Sequence, residues 1–351
     1  MDTSAFTPER LREAYQHVWF VVARSRDIDD QPREAQLLDQ KLVVFRDSTG
    51  AARVTDRRCI HRGANLADGS VVGDSIQCPY HGWRFDGQSG SCTAIPSLGA
   101  GGRIPPKAAV GAYPVIERFE HVWTCLGDPV FDVPNPPEIS DLDLQWRAAE
   151  PIPAECGFMA ATENFRDMAH FPFVHSGTMG DIEHAVPDLE VKREGREVWS
   201  SYFYKQVPDS DYSDVGDAMM HYHSYAPGIA TILFDLGDLG KRYLMDFPSP
   251  VSYDRCVIYW AVATDANFTG GTVDEILELE TAVFNEDTPV LEGLEPKEVP
   301  LAGQALEVSA PADIYTLNYR RATQYAVTTI QAARERTDAP ATNGSQSVGA
   351  R

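Results

Sequence analysis

Two short segments decide the fold: CIHRGA at residues 59–64 and CPYHGWRF at residues 78–85. Each segment offers one thiol and one imidazole, and sixteen residues separate His61 from Cys78. Glycines follow both pairs, so both loops can bend tightly and bring backbone N–H groups towards sulfur. The two segments therefore predict one metal centre that is held between two loops.

The ligand types indicate which metal group this is. In a Rieske [2Fe–2S] cluster, two cysteines hold one iron and two histidines hold the other, so each loop would give one ligand to each iron. The predicted ligands are Cys59, His61, Cys78 and His81. A structural zinc site is the alternative, but zinc knuckles usually pair Cys with Cys and His with His. The pattern favours the cluster.

Length and composition set the outer limits. The chain has 351 residues, with 43% hydrophobic and 23% charged, which is typical of a globular protein with room for two domains. No stretch approaches the ~18 apolar residues of a membrane span, and the N-terminus does not resemble a signal peptide, so we expect a cytoplasmic protein. The net charge of −22 argues against nucleic acid as a partner. The four other cysteines have no metal-binding spacing and are expected to be buried free thiols.

Hydrophobic patterning predicts a small antiparallel β domain over residues 1–133. It begins with a short helix near residues 9–16. Strands rich in β-branched residues follow at 18–22, 42–46 and 53–55. The proline-rich segment 133–137 marks the end of this domain.

A larger domain is predicted over residues 134–336. Six successive strands between residues 189 and 263 indicate an antiparallel sheet. Helices are expected at 158–170 and from Val273 onward, so the whole chain is of the α+β class. Residues 337–351 are rich in Ala, Ser, Gly and Asn, and are expected to form a disordered tail.

A second group of candidate ligands lies at residues 164–175. His170 and His175 are five residues apart and would not share one face of a regular helix. Pro172 is expected to turn the chain and bring His175 back towards His170, while Asp167 should neighbour His170 on one face. Two imidazoles with a carboxylate form the facial triad of non-haem Fe(II) oxygenases. A core histidine beside a surface histidine is the commoner reason for such a pair.

Asp287 is the candidate third ligand, because it is an acid on an apolar face. If residues 273–294 form one helix, Asp287 lies within about 60° of six apolar residues and Glu286 points roughly 100° away. Those apolar residues are Ile276, Val283, Phe284, Val290, Leu291 and Leu294. Alternatively, Thr288 caps a new helix that starts at Pro289, which would leave Asp287 in solvent.

The motifs together resemble those of the Rieske non-haem iron oxygenase family, over nearly the whole chain. The two Cys-His segments resemble its Rieske domain. Asn-x-x-Asp-x-x-His-x-x-x-x-His at 164–175, and the acidic pair at 286–287, resemble its mononuclear iron site. The resemblance implies a helix-grip catalytic domain in which His170, His175 and Asp287 bind Fe(II).

The resemblance also implies roles for two further residues. In the family, the Asp that matches Asp167 bridges the Rieske histidine of one subunit to an iron-binding histidine of its neighbour. His81 would then meet Asp167 and His170 of the next chain, which implies a homotrimer. Asp167 could instead be an ordinary acid on a helix surface. Asn164 matches the family motif, but it could equally be a polar residue on the face of the helix.

Several arginines lie close in sequence to the predicted cluster ligands. On an acidic protein, such a basic patch suggests a docking surface for an acidic ferredoxin or reductase. The arginines are Arg53, Arg57, Arg58, Arg62 and Arg84, and the last four mark the expected docking site. The alternative is that some of them pair with nearby acids. Those acids are Asp56, Asp68, Asp74 and Asp86.

What the resemblance implies is the oxygenase component of a multicomponent system. Electrons from NAD(P)H would arrive through a separate reductase or ferredoxin, and O2 would be used to hydroxylate or oxidatively demethylate a small aromatic or polycyclic substrate. One alternative is a Rieske electron-transfer or ligand-binding protein without a working second iron site, and another is a zinc-stabilised regulatory domain. His221 and His223 would share one side of a strand, and would face either the substrate pocket or solvent.

Overall fold

A computed structural model of the protein describes residues 3–99, 101–139, 142–205, 207, 210, 217–301 and 307–338. Within that part of the chain, no helix is long and apolar enough to cross a membrane. All its strand pairs are antiparallel, as the sequence patterning predicts.

The N-terminal half begins with helix α1 (Pro8–Tyr15), where Thr7 caps the first turn and Pro8 takes the first helical position. Three small antiparallel sheets follow, with strand orders β1-β11-β10, β2-β3-β4-β9 and β5-β6-β7-β8. Their bounds are β1 (Phe20–Arg24), β2 (Arg33–Leu37), β3 (Gln40–Arg46), β4 (Ala52–Asp56), β5 (Ser70–Val72), β6 (Ser75–Gln77), β7 (Arg84–Asp86), β8 (Cys92–Ala94), β9 (Ala112–Tyr113), β10 (Val115–Arg118) and β11 (His121–Thr124).

Two loops of this half carry the Cys-His segments. The first loop follows β4, and the second joins β6 to β7. Both make the same tight turn, since the N–H of Gly63 donates to the carbonyl of Cys59 at 2.9 Å and the N–H of Gly82 to that of Cys78 at 3.1 Å. Both glycines have positive φ, 78° and 70°, which other residues rarely adopt. A small core of Val43, Phe45, Leu66, Ile76 and Phe85 supports the loops from below.

The C-terminal half is one large sheet with helices packed against it. The strand order is β12-β19-β18-β17-β16-β15-β14, and β13 also pairs with β19. The strand bounds are β12 (Leu144–Ala148), β13 (Ile152–Ala154), β14 (Val191–Glu194), β15 (Glu197–Tyr204), β16 (Ala218–Tyr225), β17 (Ile229–Asp235), β18 (Lys241–Pro250) and β19 (Cys256–Asp265). The helices are α2 (Phe158–Asn164), α3 (Phe171–Val174), α4 (Val273–Gly293) and α5 (Ile314–Asp338). The predicted α+β class is confirmed.

The helix predicted over residues 158–170 is shorter than expected. It ends at Asn164, and the next residues form tight turns in which Asp167 N–H donates to the Asn164 carbonyl at 3.0 Å. The Asp167 carboxylate accepts from the N–H groups of Ala169 and His170, both at 3.1 Å. A short acidic side chain that bonds nearby backbone groups competes with helix formation, which explains the break.

Helix α4, in contrast, runs unbroken through Pro289. The hydroxyl of Thr288 donates to the Phe284 carbonyl at 2.9 Å, so Thr288 lies inside the helix and does not cap a new one. The alternative that placed Asp287 in solvent is therefore wrong. Two of the six residues predicted for the apolar face, Val290 and Leu294, are exposed.

The expectations for the C-terminal tail and for the four remaining cysteines need correction. Helix α5 continues to Asp338, two residues into the segment predicted to be a disordered tail, and the rest of that segment is not described. Of the four remaining cysteines, Cys125, Cys156 and Cys256 are buried thiols, whereas Cys92 is only half-buried.

Candidate metal centres

The side chains of the two Cys-His loops meet at one place. Cys59 and Cys78 are buried in the small core below the loops, and their thiols interact. The rings of His61 and His81 lie above them, with centroids 4.6 Å apart. Trp83 stacks on His61 at 4.5 Å. Two sulfur and two nitrogen donors therefore converge, with the thiols inside and the imidazoles towards the surface.

The surroundings fit a bound iron–sulfur cluster. Burial raises the pKa of the Cys59 thiol to about 11, while the backbone N–H groups of His61 and Arg62 favour its thiolate. Such N–H groups stabilise sulfur that ligates a metal. The buried Nδ1 atom of His61 has no hydrogen-bond partner among the described residues. A buried nitrogen without a partner is costly unless a metal binds it.

The basic residues near the cluster loops are partly engaged. Arg57 pairs with Glu34 at 2.9 Å and Arg53 with Asp47 at 2.7 Å, neither of which was among the predicted partners. The Nε–H of Arg84 donates to Gln77 at 2.8 Å. Two further arginines of the predicted docking site, Arg58 and Arg62, are exposed.

The second site joins three segments. His170 and His175 occupy the two ends of the one-turn helix α3, and their Nε2 atoms are 3.0 Å apart. Pro172 lies in the first turn of α3, where its missing N–H costs little, so it helps to start this helix and does not kink a longer one. Asp287 Oδ1 is 3.3 Å from each Nε2 atom. The three donor atoms lie within 4.8 Å of one another, as one metal ion requires.

A carboxylate orients each imidazole from behind. His170 Nδ1–H donates to Asp167 Oδ2 at 3.1 Å, and His175 Nδ1–H donates to Glu286 Oε2 at 2.9 Å. When the imidazoles are neutral, this pairing places the proton on Nδ1, so that each Nε2 can bind a metal in the shared space. Two imidazoles and a carboxylate with open positions beside them fit a mononuclear non-haem iron.

The same contacts change the acidity of the two buried partners. Burial alone raises the pKa of Asp287, but His170 and His175 outweigh burial and lower it to about 2. Burial lowers the pKa of His170, but Asp167 and Asp287 outweigh it and raise it to about 9. Asp287 therefore stays an anion, which is the form that binds a metal.

His170, His175 and Asp287 line an apolar cavity. Asn164 lies in its wall, and its Nδ2–H donates to Asp287 Oδ1 at 3.1 Å, so it orients the carboxylate. Most of the other wall residues are hydrophobic. They include Met220, Ile232, Phe234, Leu244, Val283 and Phe284.

Sequence reasoning missed two acids at this site. Glu286 was expected to point away from Asp287, and it does. In that direction its carboxylate contacts His175 and accepts a hydrogen bond from the Thr178 hydroxyl at 2.8 Å. Glu280 lies in the cavity wall, seven residues before Asp287 on the same face of α4. The seven-residue spacing of the two acids was the available signal, since it equals two helical turns.

His221 and His223 do not line this cavity. On β16 they alternate with Met220, which does line it, so they face the opposite side of the sheet. His223 is buried between Glu138 and Glu197, at 3.0 Å from each, while His221 is exposed and contacts Ser201.

Comparison with known families matches both halves of the chain. Residues 18–114 match the Rieske [2Fe-2S] domain, and residues 154–329, half of the chain, match the vanillate O-demethylase oxygenase C-terminal domain. The chain belongs to the Rieske non-haem iron oxygenases. The resemblance seen in the sequence is confirmed, and this oxygenase component is an oxidoreductase.

Individual relatives are distant in sequence but close in structure. The oxygenase is 28% identical to the methylxanthine N1-demethylase NdmA of Pseudomonas putida over 323 residues, which is 88% of each chain. The structure of NdmA with caffeine superposes with a TM-score of 0.79 at 25% identity, over 92% of this chain and 96% of that one. Dicamba monooxygenase bound to dicamba shares the fold, with a TM-score of 0.75 at 21% identity over 91% and 99% of the two chains.

Membership in this family specifies the metal groups of the oxygenase. They are a Rieske [2Fe–2S] cluster and a mononuclear iron, and a separate reductase typically supplies the electrons. The donor sets found in the two halves have the chemistry that these groups need.

Proposed function

We propose that this oxygenase catalyses the monooxygenation of a small aromatic or polycyclic compound, by hydroxylation or by oxidative demethylation. In such a reaction one atom of O2 enters a C–H bond and the other leaves as water, and two electrons and two protons are consumed. The observation that carries the proposal is the convergence of His170, His175 and Asp287 at an apolar cavity. The relatives named above are a methylxanthine N1-demethylase and dicamba monooxygenase, which supports a substrate of this size and class.

Each residue of the two sites has a proposed role. Cys59, His61, Cys78 and His81 would hold the cluster. His170, His175 and Asp287 would hold the mononuclear iron, which supplies O2 activation when it is bound. Asn164 orients Asp287, and the apolar wall excludes water from the substrate.

We propose that electrons pass from the cluster of one chain to the iron of the next in a homotrimer. Within the described part of one chain, no hydrogen bond or ring contact joins His81 to Asp167 or His170, so the link needs a second chain. Apolar side chains are exposed beside both sites. Tyr80 of the cluster loop is 66% exposed and Phe173 of α3 is 67% exposed. Exposed apolar residues are typical of surfaces that another chain covers.

Three finer assignments belong to the same proposal. The exposed Arg58 and Arg62, with Arg57 and Arg84 beside them, would steer an acidic ferredoxin or reductase towards the cluster. The domain boundary would fall between residues 133 and 134, and the catalytic domain would end near residue 336. A cytoplasmic location suits six cysteines that form no disulfide.

The test is a screen of methoxylated and N-methylated aromatic and polycyclic compounds with the anaerobically reconstituted oxygenase, a reductase and 18O2. We expect substrate-dependent O2 uptake, with one 18O atom in the product of a hydroxylation, or with one formaldehyde released per O2 consumed if the reaction is a demethylation. An oxygenase with about three irons and two sulfides per chain that neither incorporates 18O into any compound nor releases formaldehyde from any would contradict the proposal. The electron-carrier alternative would gain support only from that outcome.

A further inference from the structure

The cavity wall contains one ionic group that the iron site does not use. Apart from the iron ligands and Asn164, Glu280 is the single polar side chain among the described residues that line the cavity. It is only 3% exposed, so its carboxylate is nearly removed from bulk water. Burying a carboxylate in an apolar wall is costly, and a substrate contact would justify that cost.

Glu280 is held in place by a buried arginine. Its Oε1 atom is 3.0 Å from Nη1 of Arg242, which is 1% exposed. The guanidinium of Arg242 also lies over the Phe234 ring, 4.1 Å from its centroid, and that ring lines the cavity. Of the two residues of the pair, Glu280 lines the cavity and Arg242 does not.

A buried ion pair is weak support for stability, because well-packed apolar residues of similar volume are often at least as stable. Its position in a ligand cavity suggests a different use. A carboxylate can accept about four hydrogen bonds, so one carboxylate can bind protein groups and a ligand together. A site with an acceptor of this kind selects strongly for ligands that carry a matching donor.

The distance along α4 suggests how a ligand would lie. Glu280 precedes Asp287 by two turns, roughly 10 Å along the helix axis. A one-ring or two-ring aromatic compound with a substituent is of comparable length. One end would be at the iron ligands while the other reached Glu280.

Resting on the monooxygenase function proposed above, we infer that Glu280 selects the substrate. It accepts a hydrogen bond from an N–H or O–H group at the end of the substrate opposite the oxidised carbon. Preferred substrates are thus aromatic compounds with a donor at that end, and compounds with a carboxylate there are rejected.

The test uses three para-substituted anisoles that share the ring and the methoxy group. They are 4-methoxybenzyl alcohol, 4-ethylanisole and 4-methoxybenzoate, which present a donor, no polar group and an anion. Dissociation constants are measured by calorimetry on the anaerobic holoenzyme. We expect the alcohol to bind about tenfold more tightly than 4-ethylanisole, and the benzoate to bind most weakly.

Variants separate recognition from structure. Glu280→Gln should reduce the preference for the alcohol and improve benzoate binding at least roughly tenfold, because it removes the negative charge that repels a carboxylate. The double variant Glu280→Gln/Arg242→Gln removes both charges of the pair, and should lose the alcohol preference without the gain in benzoate binding. Glu278→Gln, at an exposed position of the same helix, should keep the wild-type order.

The inference is overturned if wild type binds benzoate as well as the alcohol, if Glu280→Gln keeps the wild-type order, or if none of the three compounds binds at millimolar concentration. Failure of the proposed function is seen separately. An oxygenase that turns over a substrate with O2 while binding does not depend on Glu280 refutes only this inference. An oxygenase that loads iron and neither hydroxylates nor demethylates any compound refutes the function, whatever the binding order.

Discussion

The two metal centres differ in how far along the chain their ligands lie. All four candidate cluster ligands fall within residues 59–81, on two loops that make the same glycine turn. The iron-site donors span residues 170–287 and meet only because α4 packs beside α3. The first centre is therefore set mainly by local turns, and the second by tertiary packing.

The centres also differ in exposure and in charge. His81 is exposed, as suits a group that exchanges electrons at a surface, whereas His175 and Asp287 are buried at a cavity. The iron site also has a carboxylate behind each imidazole, Asp167 and Glu286. The cluster imidazoles have no such carboxylate partner among the described residues. A site built by long-range packing thus depends on more supporting residues.

The largest effect is expected from Asp287→Ala. Removal of the carboxylate that faces both Nε2 atoms should lower the iron content from about three to about two per chain, with sulfide unchanged. Turnover should fall more than about 100-fold, since even supporting residues of a metal site are worth 10–100-fold. Iron analysis and the spectrum of the reduced cluster check this. Glu278→Ala is the matched control, and simultaneous loss of the cluster would show that the centres are not independent.

Asp167→Asn tests the proposed link between the centres. Both metal groups should stay bound, but turnover should fall roughly 10–100-fold because the amide cannot orient His170 as an anion does. The decisive measurement is the rate at which the reduced cluster is reoxidised by O2 in the presence of substrate. Asp181→Asn, at an exposed position, is the control. Normal reoxidation with slow turnover would assign Asp167 a role at the iron only.

A smaller effect is expected from Glu286→Gln. The neutral amide still accepts the His175 Nδ1–H, but it makes the imidazole a weaker donor to metal, so Fe(II) affinity should fall about tenfold. Competition with a chelator on protein depleted of the mononuclear iron measures this. Unchanged affinity, equal to that of Glu278→Gln, would show that the carboxylate behind His175 is not needed.

Glu298 is a buried carboxylate with no imidazole against it among the described residues. Burial, with the charges of Cys156 and Glu163, raises its pKa from 4.5 to about 8, whereas Asp287 has a pKa of about 2. Between pH 4.5 and 8 the native state holds a proton that the unfolded state has lost, so stability falls as pH rises through this range.

Glu298→Gln should remove that loss without an effect on turnover. The variant should match wild type at pH 4.5 and be more stable by a few kcal/mol above pH 8. Urea unfolding at both pH values measures the difference. Equal stability at pH 8.5 would show that the buried carboxylate finds a cation or water in solution.

Much of the fold could be predicted from the sequence because its strands follow simple rules. The six strands predicted between residues 189 and 263 correspond to β14–β19, since buried antiparallel strands have runs of apolar and β-branched residues. The helix at 158–170 was overestimated, because a side-chain contact of Asp167 replaces helix bonds and patterning does not register it.

The sequence by itself determined the ligand types, their spacing in the two loops and the family, because thiols and imidazoles at those intervals suit one metal group. It also placed Asp287 on one face of a helix. Only the tertiary structure decided what that face meets: the two imidazoles at Asp287, and the cavity and Arg242 at Glu280. It also decided that Glu286, roughly a quarter-turn away on the helix, contacts His175. The physical reason is that a helix specifies the directions of its side chains, while their partners come from segments that lie far away along the chain.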